Sequence, residues 1–436
     1  MIPQTAFMIS APIGAGKQED LRQLIASINS APGLADPYNT LVPFYQFDGL
    51  HFARFVIIET NPIVNDHDLL RTYGIEPSHW PATLAFMGDI DGRLDVFLAE
   101  LVVRAGAGLQ QIFSHCAGFD TKKTNMLQWM TQHHTKPQAS YCNWRGRTVK
   151  QIKQEYLLYS ALRDQLEKSN GLSLSPDHIY KKLKAFMNDE VNAGRLTLSP
   201  QEPILPVWAI RNFLHLIGLP LILLVLFPVL LVAAPFFFIY LRSLEKTDIE
   251  NTLPPPHEHL HRLAIQEDLD VTNHFNVLAH IKPGLFRRAT FTLILVLTNY
   301  ASKHIYHRGY LARIQTIHFA HWVVLDNYRR IYFATNYDGS AESYMDDFIN
   351  KVAWGLNLLF SNCVGYPRTR WLIKGGAENE ERYKRSIRIG QFPTESWYRA
   401  SPGLTAIDLA RHSRVRQGLE AKCLSRTEIK AWLSLL

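Results

Sequence analysis

The chain has 436 residues, 47% of them hydrophobic and 19% charged, which is long enough for two or three globular domains and far from a disordered or fibrous composition. Its net charge of +7 suits acidic ligands, nucleic acid or an anionic membrane, but no basic run is interleaved with aromatics, which argues against nucleic acid and leaves membrane lipid as the expected partner. Four cysteines (Cys116, Cys142, Cys363 and Cys423) form neither a disulfide framework nor a zinc pattern, and the first residues lack the runs of a secretory signal, so a reducing, cytosol-facing location is expected.

In chain order, residues 5–12 predict a strand that runs into Ile13-Gly14-Ala15-Gly16-Lys17 and a helix with Leu21, Leu24, Ile25 and Ile28 on one face. Strand, glycine turn, lysine and helix suggest a phosphate loop. Ala11 stands where its first glycine is needed, however, and Gln18 where its magnesium-holding hydroxyl belongs. No nucleotide is expected, and the glycines only turn the chain. Residues 51–59 predict a strand apolar on both faces, with Ala53, Phe55 and Ile57 on one and Phe52, Val56 and Ile58 on the other, so both faces need cover. Residues 60–81 read as an insertion and 82–87 as a third strand. Asp91-Gly92 then opens a helix through Leu94, Phe97, Leu98 and Leu101, and a fourth strand near 139–144 completes a β-α-β-β-α-β order, the ferredoxin-like arrangement.

Residues 149–275 read as a helical linker. Within it, residues 216–241 carry no charge and are long enough for a bilayer core of ~30 Å. Pro220, Pro228 and Pro235 would break a soluble helix but are tolerated in membranes. Those prolines suggest a bent re-entrant or in-plane segment. His257, His259 and His261 alternate, which would align them for a metal only in a strand; after three prolines they read as interfacial histidines, and no metal site is expected.

From residue 276 the order repeats. Residues 318–325 match 51–58, residues 335–339 match 88–92, and FSNCVGY at 360–366 matches FSHCAGF at 113–119, so the chain is an internal duplication. The expected domains are a module at 1–148, the linker at 149–275, a second module at 276–412, and a C-terminal helix in 413–436 whose Ser425 and Glu428 form a capping box. The fold class is α+β: two tandem ferredoxin-like modules forming a pseudo-dimeric α/β barrel, with a helical membrane-associated insertion between them.

Gly88-Asp89-Ile90-Asp91-Gly92 fits the pattern GxxDG. With two ferredoxin-like modules, this resembles the dimeric α/β-barrel superfamily, and within it the dye-decolourising peroxidases and chlorite-dismutase-like haem proteins. The resemblance implies a haem with Asp91 and an arginine, Arg54 or Arg93, on its distal side and a histidine on the iron. No histidine here matches that ligand by position. His321 interrupts an otherwise apolar strand face and is the candidate, with Phe52, Phe55, Phe319 and Trp322 as candidate cavity lining. Asp91 and Asp338 hold equivalent positions, which a shared helix N-cap would also explain. The leading expectation is a membrane-associated protein binding an apolar small molecule or haem between the modules, both on the cytoplasmic side. A haem-dependent peroxidase is the alternative, and a membrane-tethered scaffold without a pocket is the third reading.

Overall fold

The computed structural model describes residues 4–59, 67–76, 80–168, 175–200, 206–306 and 309–436. The first half runs β1 (Gln4–Pro12), α1 (Gln18–Ala26), β2 (Asn29–Ala31), β3 (Leu34–Ala35), β4 (Leu50–Ile58), α2 (His67–Thr72), β5 (Thr83–Asp91), α3 (Leu94–Phe113), α4 (Met126–Gln132) and β6 (Ala139–Cys142). Four helices follow: α5 (Val149–Lys168), α6 (Pro176–Asn192), α7 (Pro206–Thr247) and α8 (His257–Ala264). The second half runs β7 (Thr272–His280), α9 (Leu285–His304), β8 (Ile317–Leu325), β9 (Arg330–Asp338), α10 (Ala341–Phe360), β10 (Thr369–Arg370), β11 (Lys374–Gly375), α11 (Glu380–Gly390) and β12 (Ser396–Arg399), closing with α12 (Ala406–Glu420) and α13 (Arg426–Leu433). The chain is therefore a mixed α+β protein. The insertion expected at 60–81 lies partly outside the described residues, and its described part carries α2.

The short strands exchange places between the halves. β1, β5 and β4 pair antiparallel in that spatial order, and so do β7, β9 and β8. The strand beside β4 is β12 (Ser396 opposite Phe55), and the strand beside β8 is β6 (Ala139 opposite Trp322). Proline supplies the physical reason. Thr135 N–H bonds Met8 O at the free edge of β1, and Phe392 N–H bonds Asn276 O at the edge of β7. Lys136-Pro137 and Pro393 then follow, and a residue without an N–H cannot continue a ladder. The chain leaves each edge there and enters the other sheet.

Three apolar layers result. β4 is buried along its whole length, as a strand covered on both faces must be. Ala53, Phe55 and Ile57 pack with α1 and α3 in one sheet–helix core, while Ala320, Trp322 and Val324 pack with α9 and α10 in the other. Between the sheets, Met8, Val56, Ile58 and Met87 meet Leu278, Val323, Tyr332 and Phe392. A fourth cluster joins α5, α6, α12 and α13 through Leu158, Leu162, Leu183, Val415 and Trp432.

Three local expectations need correction. β5 runs through Asp91, paired with β1 to its last residue, so both Asp89 and Asp91 lie in a strand and α3 starts only at Leu94. Residues 257–264 are helical, which turns His257 and His261 outward while His259 is buried against Arg388 O at 2.9 Å. The C-terminal stretch holds two helices: α12 begins before residue 413, and α13 carries the capping box of Ser425 and Glu428.

α7 is one helix of 42 residues, about 63 Å at 1.5 Å per residue, and it continues across Pro220, Pro228 and Pro235. It is long and apolar enough to cross a membrane, and none of its most apolar window is buried. Both of its ends are tied to the second half. Near the start, His215 O accepts from Tyr300 Oη at 2.6 Å, and Asn212 Oδ1 lies 2.6 Å from His304 Nδ1. Near the end, Phe237 packs on Phe286 at 5.0 Å, and the buried Glu245 carboxylate accepts the N–H groups of Trp371 and Leu372 at 2.9 and 2.8 Å. α7 thus lies antiparallel along α9.

A fragment ending at residue 148 lacks β12 and exposes the paired edge of β4. Such a fragment is expected to aggregate or stay unfolded by circular dichroism, and to become soluble when co-expressed with residues 149–436. A cooperative thermal transition of the fragment alone would contradict the exchange.

Candidate functional site

The space between the sheets is where the duplicated polar residues meet. Arg54 points from the first sheet into the second, its Nη1 donating to Asn276 Oδ1 (2.8 Å) and Phe275 O (3.2 Å) and its Nη2 to Thr335 O (3.0 Å) and Asn336 Oδ1. Burial lowers the Arg54 pKa, while Tyr332 and Asp89 act against that shift. The equivalent position in the second half is His321, whose Nε2 lies 2.9 Å from Asp89 Oδ1 without the alignment of a hydrogen bond. Arg54 with Asn336 and His321 with Asp89 are one pair of positions used twice.

Phe52 and Phe319 meet at 5.7 Å and, with His51, His318 and Cys142, line a cavity of about 40 Å³, room for a water molecule or so. Phe55 and Trp322 face the helices instead. Arg93 is exposed and paired with Asp95 at 2.6 Å. Asp91, Arg54 and Arg93 therefore do not converge on one space, and a haem does not fit between the sheets, where side chains already fill the volume around His321. Among the described residues, no group of three or more His, Cys, Asp and Glu is placed to hold a metal ion.

Asp91 and Asp338 perform one structural task in duplicate. Asp91 Oδ1 lies 2.9 Å from His51 Nε2, and its Oδ2 accepts the Val149 N–H at 2.8 Å. Asp338 Oδ1 lies 2.6 Å from His318 Nε2, and its Oδ2 accepts the Ala406 N–H at 2.7 Å. Each carboxylate caps a helix that follows an exchanged strand, α5 or α12, rather than the helix that follows it in sequence. Lysines do the complementary work at C-termini. Lys17 Nζ donates to Ser114 O at 2.9 Å beyond α3, and Lys282 Nζ donates to Ser361 O at 2.7 Å beyond α10. Lys282 also pairs with Asp248 at 2.8 Å, yet burial lowers its pKa to about 8. Burial likewise raises the Cys116 and Cys363 thiols to about 12, so neither is a reactive thiolate.

A larger apolar cavity than the one at Phe52 lies between the second sheet and the helices α9 and α10. It measures about 280 Å³, and its wall is apolar, with Phe275, Trp322, Phe333, Met345, Val352 and Leu356 among the lining residues. Two features of α10 make the space: the backbone leaves helical geometry at Val352 (φ −145°, ψ 32°), and Gly355 stands inside the helix. A methyl at Gly355 would meet nothing within 4 Å, so no close backbone approach accounts for a residue that costs about 1 kcal/mol relative to alanine in a helix.

The first half shows what is missing. Gly108 occupies the same place in α3, and a methyl there would lie 1.9 Å from Leu41 O. Leu41, Val42, Phe44 and Phe47 of the segment between β3 and β4 pack into that core and fill it. The corresponding segment between α9 and β8 is shorter. The glycine stands in both halves, and the plug of Leu41 to Phe47 only in the first. Sequence reasoning passed over this site because its lining reads as ordinary core; the available signal was the duplicated glycine beside unequal segments. In comparisons with known proteins, no family model, no curated protein and no solved structure matches the chain.

Two outcomes follow. Asp338→Ala removes the carboxylate from a buried histidine and a buried N–H, and is expected to cost roughly 2–3 kcal/mol in urea unfolding; a change within error would contradict the capping role. His280 is depressed from 6.5 to about 4 by burial, with Arg330 adding to the effect. The unfolded chain then binds a proton that the folded chain refuses, so stability is full above pH 6.5 and falls as pH drops towards 4. His280→Gln is expected to flatten part of that fall in Tm, and identical pH profiles would contradict it.

Proposed function

We propose that the protein is a membrane-associated binding protein that holds an apolar small molecule, built from two ferredoxin-like modules paired as a pseudo-dimeric barrel. The order of β1, β5 and β4 and of β7, β9 and β8, each sheet with helices on one face and the other sheet on its second face, supports the module reading. α7 supports the membrane reading. Its faces away from α9 expose Leu224, Val225, Val229, Val232 and Phe236, a surface that calls for lipid rather than water. Because both of its ends return to one interlocked body, the helix lies along the bilayer plane and both halves stay on one side, the cytoplasmic one in this reading. α7 meets α9 only near its two ends, and residues 220–233 between those contacts are exposed on every side, which fits a helix without a polar face.

The observation that carries the binding function is the 280 Å³ apolar cavity between the second sheet, α9 and α10. It is about twice the volume that takes benzene in an engineered apolar cavity. Its lining residues Leu297, Ile305 and Trp354 are 45, 47 and 51% exposed, so the site is open at its rim. Leu297 belongs to the α9 stripe Phe286, Leu293, Leu297, Tyr300 and His304 at helical spacing, and α7 touches that stripe at both ends. The ligand site in this reading lies under α9 and α10, because the space between the sheets is filled.

Gly355→Trp is the test, with 1-dodecanol as probe. The wild type is expected to take up dodecanol, and the tryptophan variant to lose uptake at least about tenfold while its circular dichroism stays the same. Gly355→Ala is expected to raise stability by roughly 0.5–1 kcal/mol through helix propensity. Unchanged uptake by Gly355→Trp would contradict the assignment of the cavity.

A further inference from the structure

The hairpin of β10 and β11 displays side chains that its own fold does not call for. Its strands pair Thr369 with Gly375 and Arg370 with Lys374, and the loop between them is Trp371-Leu372-Ile373. Trp371 (φ 59°) and Leu372 (φ 63°) both take the left-handed conformation, which glycine or asparagine adopts at least cost. Leu372 is buried, but Trp371 and Ile373 are each 41% exposed. Packing thus accounts for one of three large apolar residues in a strained loop and not for the other two. The loop is also pinned from both sides. The N–H groups of Trp371 and Leu372 converge on the buried Glu245 carboxylate in the last turns of α7, and Ile373 O accepts from Asn357 Nδ2 of α10 at 3.0 Å. The Trp371 ring lies 6.0 Å from that of Phe238, an exposed residue of the uncharged stretch of α7, so the tip of the hairpin continues the apolar surface of that helix. Behind the tip, Arg370 and Lys374 stand directly opposite each other, both exposed and neither in an ion pair among the described residues. Like charges facing each other across a ladder repel, and this pair is stabilised only when an anion joins it.

Resting on the proposed membrane reading of α7, we infer that the β10–β11 hairpin is a second membrane contact, with Trp371 and Ile373 at the acyl boundary and Arg370 and Lys374 on the headgroups of anionic lipid. An apolar tip in front of two uncompensated cations follows the order of a bilayer, chains within and headgroups outside, and a tryptophan ring suits the boundary between them. The uncharged stretch of α7 offers nothing that tells one headgroup from another. The hairpin supplies that preference. Because Glu245 joins the loop to α7, helix and hairpin meet the bilayer as one unit.

The full-length protein is mixed with vesicles of phosphatidylcholine alone or with phosphatidylglycerol added, and the bound fraction is measured by sedimentation. The double variant Arg370→Glu with Lys374→Glu is expected to bind the phosphatidylglycerol vesicles roughly tenfold more weakly, with binding to phosphatidylcholine and the circular dichroism unchanged. A spin label at Ile373→Cys, with the exposed Cys423 changed to serine, is expected to become shielded from a water-soluble relaxant when the vesicles are added. A double variant that binds phosphatidylglycerol as the wild type does, or that loses binding equally on both vesicles, overturns the inference. A label that stays in water on vesicles the protein binds also overturns it, turning the hairpin towards a soluble acidic partner while the membrane reading of α7 stands. Failure of the wild type to bind either vesicle overturns both.

Discussion

Each sheet takes in a strand from the other half beside its long hairpin, β12 next to β4 and β6 next to β8, and most of the architecture follows from that exchange. A short fourth strand that leaves its own sheet at Pro137 or Pro393 must be matched by a return, so neither half presents a finished sheet alone. The two inner faces are pressed together, Arg54 hydrogen-bonds into the opposite sheet, and Asp91 and Asp338 fasten the helices that follow the exchanged strands. A body interlocked in this way cannot straddle a bilayer. In the proposed reading the long apolar insertion between the halves leaves and comes back on one side, with α7 antiparallel to α9 and bound to it near both ends.

Duplication gave two copies of each position, and the copies diverged where one was free to change. Arg54 opposite Asn336 and His321 opposite Asp89 keep a polar pair between the sheets with different charges. Lys17 and Lys282 reach equivalent carbonyls from different places in their turns. The divergence with the largest consequence concerns volume rather than charge. Gly108 is needed because Leu41 approaches it, whereas Gly355 faces open space under a kinked helix. The half that lies against α7 is the half with the cavity.

Much of this was legible in the sequence, and the rest was hidden for physical reasons. Strand and helix positions followed from apolar periodicity, the duplication from FSHCAGF and FSNCVGY, and the closing helix from its capping box. The exchange of β6 and β12 was not legible, because pairing partners depend on which edge is free, and a four-residue strand carries no record of its neighbour. Asp91 was read as a cap for the wrong helix, since its true partner, the Val149 N–H, lies far along the chain and meets it only in the fold. The resemblance carried by GxxDG placed weight on Asp91, Arg54 and Arg93, three residues that the fold sends to a helix cap, an inter-sheet bond network and the exposed surface. Phe55 and Trp322 share strands with inward-facing neighbours, and periodicity alone does not say which face of a doubly covered strand meets the other sheet.

The proposed function requires α7 to lie in the membrane plane. Spin labels placed singly at successive positions from 221 to 239, with the protein bound to anionic vesicles, measure the depth of each site. An in-plane helix backed by α9 predicts depths that oscillate with the 3.6-residue period about a constant mean, shallowest on the α9 side. A profile that descends steadily to the bilayer centre and rises again, or labels that all report water, would contradict it.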